Sequence, residues 1–198
     1  GGAYMWVFLN WALGLQSRGC RVIWLDSFEA DSPVEDKVRR IDELKRRLRA
    51  LGFAGEVCVL LPGGDSAPGC LDLEEAAQAD LLVDLGYDLP ADVVQRFRRS
   101  AFVDIDPGLT QVWLSLGQLD LARHDLHFTY GETVGDPGSP IPECGLRWLY
   151  TPPPVFLPAW PVHTGDAGAP YTTVSAWWGD LDWIELGGKY VDNSKRTE

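Results

Sequence analysis

Residues 102–113 read FVDIDPGLTQVW, from Phe102 to Trp113. A β-branched and aromatic run meets Asp-Pro-Gly, and apolar residues then return at helical spacing, as expected where a strand turns into a helix. The spacing predicts a strand over 101–106 and a helix from Pro107 to about Asp120, with Leu109, Val112, Trp113 and Leu116 on one face. Asp106 stands before Pro107, where its carboxylate is expected to accept backbone N–H groups as an N-cap, worth about 1 kcal/mol. Strand alternation sends Asp104 to the same side as Asp106, at the lip of the sheet. Asp104 is therefore a candidate for holding a hydroxyl or acting as a base, with stabilisation of the turn as the alternative. Thr110 and Gln111, in the first helical turn, are candidates for the same pocket.

The same strand–helix alternation extends in both directions. Tyr4–Gln16 reads as a buried helix closed by Ser17-Arg18-Gly19, and RVIWLD (21–26) as a strand. A capping box of Ser32 and Glu35, with Pro33 at the first helical position, opens the next helix. Val34, Val38, Ile41, Leu44, Leu48 and Leu51 form its apolar stripe, and acid-first pairs such as Glu35/Arg39 and Glu43/Arg47 support it at i,i+4. EVCVLL (56–61) predicts a strand, Leu73–Gln78 a short helix, ADLLVDLGYD (79–88) a strand and LPADVVQRFRRS (89–100) a helix. DLHFTYGE (125–132) and YTTVSAWW (171–178) predict further strands, and the Pro/Gly-rich residues 135–170 a long ordered excursion over the surface. Together these predict an α/β Rossmann-like domain over residues 1–198: an open, mainly parallel sheet with helices on both faces.

A net charge of −12 and a pI near 4.6 speak against nucleic acid and anionic membrane surfaces, which both need clustered Lys and Arg. The basic residues concentrate in KVRRIDELKRRLR (37–49), where interspersed acids mark a solvated helix face. Cys20, Cys58, Cys70 and Cys144 show no CxxC spacing, and no apolar run is long enough to span a bilayer. The expectation is reduced thiols in a cytoplasmic protein without membrane insertion. The opening Gly1-Gly2 resembles the loop that follows a first strand, which would then lie outside this sequence.

Ligands of open parallel sheets collect at the carboxyl ends of the strands. That rule selects Gly1-Gly2, Asp26, Gly63-Gly64-Asp65, Asp84 to Asp88, Asp104/Asp106 and Glu132. Asp26 ends a strand where dinucleotide folds place the acid that holds a ribose, but the GxGxxG fingerprint is missing. His124 and His127 have the three-residue spacing of a metal pair on a helix. His127 falls on a strand, however, and no third ligand follows at recognisable spacing, so no metal site is expected. His127 facing a pocket with Tyr130 and Glu132 is a conceivable general base, with a satisfied structural histidine as the alternative. Trp6, Trp11, Trp24 and Trp113 fall on apolar faces. Trp148, Trp160, Trp177, Trp178 and Trp183 lie near loops, where they serve either as sugar platforms or as loop anchors. No GxSxG elbow, P-loop or HExxH is present.

The blocks GG…W.FLNWALGLQSRGCRVIWLD, FVDIDPGLTQ, HDLHFTYGE, IPECGLRWLYTPPPVFLPAW and YTTVSAWWG, in this order and spacing, resemble a little-characterised group of bacterial glycosyltransferase-like proteins of the GT-B type. The resemblance covers nearly the whole chain. It implies the N-terminal, acceptor-binding half of a two-domain enzyme that transfers a sugar from a nucleotide-sugar to a hydroxyl acceptor, either a small molecule or a glycan. Gly1, Gly2, Asp104, Asp106, His127 and Glu132 match blocks that would line the cleft. His127 or Asp104 is the expected base, and Gly1, Gly2, Asp106, Thr110, Gln111, Tyr130 and Glu132 the expected acceptor contacts. The nucleotide-sugar would bind a C-terminal domain that has no counterpart here, so this domain is expected to hold no cofactor and to be inactive alone. The rival expectations are a non-catalytic glycan or small-molecule binding module, and a nucleotide-dependent oxidoreductase or epimerase using Asp26.

Overall fold

In the run Ile23-Trp24-Leu25 successive side chains leave opposite faces of a strand, so an all-apolar run needs cover on both. A computed structural model of the chain shows that cover. It describes residues 2–27, 34–61, 66–162, 164–166, 168–170, 184–186 and 189–191. The chain divides into two compact units, Gly1–Trp160 and Pro161–Glu198.

The first unit runs α1 (Gly2–Ser17), β1 (Ile23–Ser27), α2 (Val34–Ala50), β2 (Glu56–Leu60), α3 (Leu73–Ala76), β3 (Leu82–Asp84), α4 (Ala91–Val94), β4 (Ser100–Asp104), α5 (Leu109–Ser115), β5 (Leu126–Thr129) and β6 (Trp148–Tyr150). Its strands pair in parallel: β1 with β2, and β3-β4-β5-β6 in that order. This is an α/β fold with parallel strands. Among the described residues of this unit the strands form two sheets, where the sequence predicted one.

Trp24 is buried with Leu9 and Leu13 of α1, Ile41 and Leu48 of α2, and Val57 and Val59 of β2. On the opposite side, Ile23 and Leu25 pack against Cys58 and Leu60 of β2, Leu73 and Ala76 of α3, and Val93 of α4. Helices therefore cover both faces of β1 and β2. Gly19, at φ +85°, terminates α1 where the sequence predicted.

The strand expected over 79–88 and the helix expected over 89–100 are observed only as Leu82–Asp84 and Ala91–Val94, and three further local expectations need correction. The helix predicted from Pro107 to Asp120 spans only Leu109–Ser115. Gly108 at φ +90° stands just before it and Gly117 at φ +67° just beyond, a backbone region that α-helices do not use. The stretch 135–170 is not surface excursion throughout, because Trp148–Tyr150 joins the sheet as β6. Its aromatic run fits a pleated surface, and Trp148 is buried against Phe102. Asp106 is not the N-cap; Gly108 is. The side chains of the Ser32/Glu35 capping box, the loop 62–65 and the strand expected over 171–178 lie outside the described residues.

In the second unit, β7 (Ile184–Leu186) pairs antiparallel with β8 (Lys189–Val191). Among the described residues no helix is long and apolar enough to cross a membrane.

Candidate functional site at the carboxyl ends of β3, β4 and β5

The end of β4 is organised by one carboxylate. Asp104 is 1% exposed and accepts four hydrogen bonds. Its Oδ1 receives the Thr110 hydroxyl at 2.7 Å and the Asp106 N–H at 3.0 Å. Its Oδ2 receives Gln111 Nε2 and the Thr129 hydroxyl, both at 2.7 Å. Thr129 is the register partner of Asp104 on β5, so the bond crosses between neighbouring strands. The other partners come from local chemistry. Gly108 lacks a capping side chain, and its N–H instead donates to Gln111 Oε1 at 2.6 Å, which turns the other end of that amide toward Asp104. Thr129 Oγ1 also accepts the Gly131 N–H at 3.0 Å, and Cys144 Sγ donates to the Gln111 carbonyl at 3.1 Å.

Asp104 therefore ties β4, β5 and the first turn of α5 together. Each of its oxygens already accepts two protein donors. Thr110 and Gln111, expected as acceptor contacts, are buried partners in the same network.

Asp106 takes the opposite role. Its main-chain carbonyl accepts the Thr110 N–H at 3.2 Å. Its half-buried carboxylate receives no hydrogen bond and meets no cation among the described residues. Burial, and after it the neighbouring Asp104 charge, raise its pKa above the ordinary aspartate range. The phenol of Tyr87, in the loop after β3, is raised by burial and then by the charges of Asp106 and Asp88, with a further contribution from Tyr4 of α1. These groups share one rim. The Tyr87 ring stands edge-on to Trp113 of α5 at 5.8 Å, and Trp11 Nε1 donates to Tyr130 Oη at 2.7 Å. Burial raises the Tyr130 phenol, and the Trp11 bond opposes that.

The structure brings Asp104, Asp106, Thr110, Gln111 and Tyr130 together. Glu132 is exposed two residues beyond Tyr130. Gly2 is the first residue of α1 rather than part of a loop, and Gly1 lies outside the described residues. His127 lies within β5, before Thr129. It pairs with Phe102, two residues before Asp104, and its ring packs against Trp148 at 5.7 Å and His124 at 6.2 Å. Burial, then His124, lower its pKa. Its surroundings are aromatic packing rather than a hydrogen-bonding partner.

His124 Nδ1 lies 2.7 Å from the Ala122 carbonyl. Its Nε2 is 3.2 Å from Asp84 Oδ2, yet the angle makes no hydrogen bond. No group of three His, Cys, Asp or Glu able to hold a metal occurs among the described residues. Asp26 is the last residue but one of β1, where its Oδ1 accepts the Ser27 N–H at 2.9 Å. Burial of its carboxyl raises its pKa, while the Ser27 bond, Trp24 and Arg40 oppose the shift.

Tyr4, Trp11 and Tyr87 were not selected from the sequence. Tyr87 lies inside the Asp84–Asp88 stretch that was, so its position was visible and its ring overlooked. Two hollows of about 340 and 570 Å³ lie elsewhere, around the ends of α1 and α2 and the start of β2. Neither contains a rim residue.

The turn after β5 tolerates only glycine. A Cβ on Gly131 would stand 2.6 Å from Val134 Cγ2 and 2.7 Å from Pro107 Cβ. Gly131→Ala is expected to cost about 1–3 kcal/mol, read from the urea midpoint; an unchanged midpoint would show that the turn relaxes freely.

Fold and rim together define an α/β protein with parallel strands and a carboxylate–tyrosine rim at their carboxyl ends. No family model, curated protein or solved structure matches the chain.

Proposed function

We propose that this chain is the acceptor-binding part of a GT-B-type glycosyltransferase-like protein, with Asp106 as the group that receives the acceptor hydroxyl. The supporting observation is the half-buried Asp106 carboxylate, free of hydrogen bonds among the described residues and set beside Tyr87 on a turn that Asp104 ties down. A carboxylate with a raised pKa is a better proton acceptor than an ordinary aspartate. Tyrosine rings supply apolar faces with polar tips suited to a sugar or an aromatic alcohol.

In the reaction the acceptor oxygen attacks the anomeric carbon of a nucleotide-sugar. The new C–O bond forms as the bond to the diphosphate breaks, and the hydroxyl proton passes to an Asp106 oxygen. The nucleotide-sugar is held by a C-terminal domain of the full-length protein. Asp106 thus takes the place first given to His127 or Asp104.

The test incubates full-length protein with UDP-, GDP- and dTDP-sugars and follows release of the nucleoside diphosphate. Protein-dependent release with at least one donor is expected. Binding of glycans without release would identify a non-catalytic binding module instead, and NAD affinity in calorimetry would favour an oxidoreductase or epimerase.

A further inference from the structure

The two parallel sheets lie alongside each other. Leu25 of β1 packs both with Cys58, Leu60 and Val93 and with the cluster of Leu82 (β3), Val94 (α4) and Ala122. Helix α4 serves both groups, Val93 in one and Val94 in the other. On the opposite side, α1 packs on Trp24 of β1 and reaches Tyr130 beyond β5 through Trp11. Common helices thus bridge β1 and β3, yet among the described residues each of these strands pairs on one edge only.

The composition of β1 is not that of an edge strand. Ile23-Trp24-Leu25 is apolar throughout, with helices over both faces; the strand has no proline, and its one charge, Asp26, stands near its carboxyl end. Such strands belong in the interior of parallel sheets. Ile23 and Leu25 nevertheless stay half-buried, whereas β4, paired on both edges, is buried along its whole length.

We propose that in the full-length protein the residues immediately preceding α1 form a parallel strand between β1 and β3, joining the two sheets into one. The path favours this occupant. A parallel strand there delivers the chain to the carboxyl rim, and because α1 ends at Ser17, shortly before the amino end of β1 at Ile23, its first turn lies toward that rim. Strand, α1 and β1 then make one crossover unit of the usual right-handed kind. The inference rests on the sheet edges and holds whether or not the protein transfers sugars.

Amide exchange and interstrand Overhauser contacts, measured by NMR on the full-length protein, test it. Alternate amides of a strand point to opposite edges. The amides of β1 facing away from β2, and those of β3 facing away from β4, are expected to be protected to within about tenfold of their inner-edge neighbours, independently of protein concentration. Contacts from the residues preceding Gly1 to both strands are expected as well. Outer-edge exchange about 100-fold faster than the inner edge would overturn the proposal. So would protection that grows with concentration, which would mark a second copy, or contacts from any other segment.

Discussion

Replacing Asp104 with alanine is expected to remove about 3–5 kcal/mol of stability, the scale for stripping the acceptor from a buried charge-assisted network. Four donors lose their partner together: the hydroxyls of Thr110 and Thr129, Gln111 Nε2 and the Asp106 N–H. Three of these side chains are themselves buried, so water cannot replace the carboxylate without entering the core. Asp104→Asn keeps the shape but not the chemistry. Each oxygen now accepts one N–H and one hydroxyl. An amide NH₂ in either place meets an N–H donor that cannot reverse, since turning Gln111 would break its bond to Gly108. About 2–3 kcal/mol is expected for Asn. Against a typical total of about 5–15 kcal/mol, the alanine variant stands near the edge of folding. Urea unfolding followed by tryptophan fluorescence reads this as a midpoint lowered by about 2 M, given a slope of roughly 2 kcal/mol/M. A shift worth less than about 0.5 kcal/mol would show that the network is incidental.

Asp106→Asn is expected to do the reverse, costing the rim its reactivity and the fold nothing. The sign follows from linkage. The Asp106 pKa is raised in the folded state, by burial and then by Asp104. Its protonated form therefore suits the fold better, and that contribution is present below the unfolded-state pKa and lost as pH rises through the folded one. At neutral pH the ionised group is carried at a cost that the neutral amide removes. The urea midpoint of the variant should equal or slightly exceed that of the parent at pH 7, with the difference vanishing in acid below the aspartate range. A midpoint lowered at pH 7 would mean that the carboxylate has a structural partner. In the full-length protein the same substitution should lower turnover at least 100-fold, within the range for loss of a general base.

The strand–turn–helix order of FVDIDPGLTQVW was legible because Pro-Gly punctuation and apolar spacing are local signals, and the observed β4 and α5 follow it. The division of labour between Asp104 and Asp106 was not. It depends on Thr129, 25 residues further along, and on Gly108 moving the helix start two residues past Pro107. Once the helix begins at Leu109, Asp106 is too far back to cap it and Asp104 closes the turn instead. The surroundings of His127 were hidden for a similar reason. Its neighbour β6 lies inside a Pro/Gly-rich stretch with no periodic pattern, so the packing of Trp148 on the imidazole was invisible until the strands were paired. Short contiguous signals were readable, and pairings across the sheet were not.

The most direct single measurement is donor-dependent turnover by the full-length protein, compared between wild type and Asp106→Asn with the urea midpoint recorded on the same samples. Turnover lost at an unchanged midpoint is the predicted result. Equal turnover in both proteins, or a loss that only follows a fall in the midpoint, would contradict a rim in which Asp104 holds the turn and Asp106 meets the acceptor.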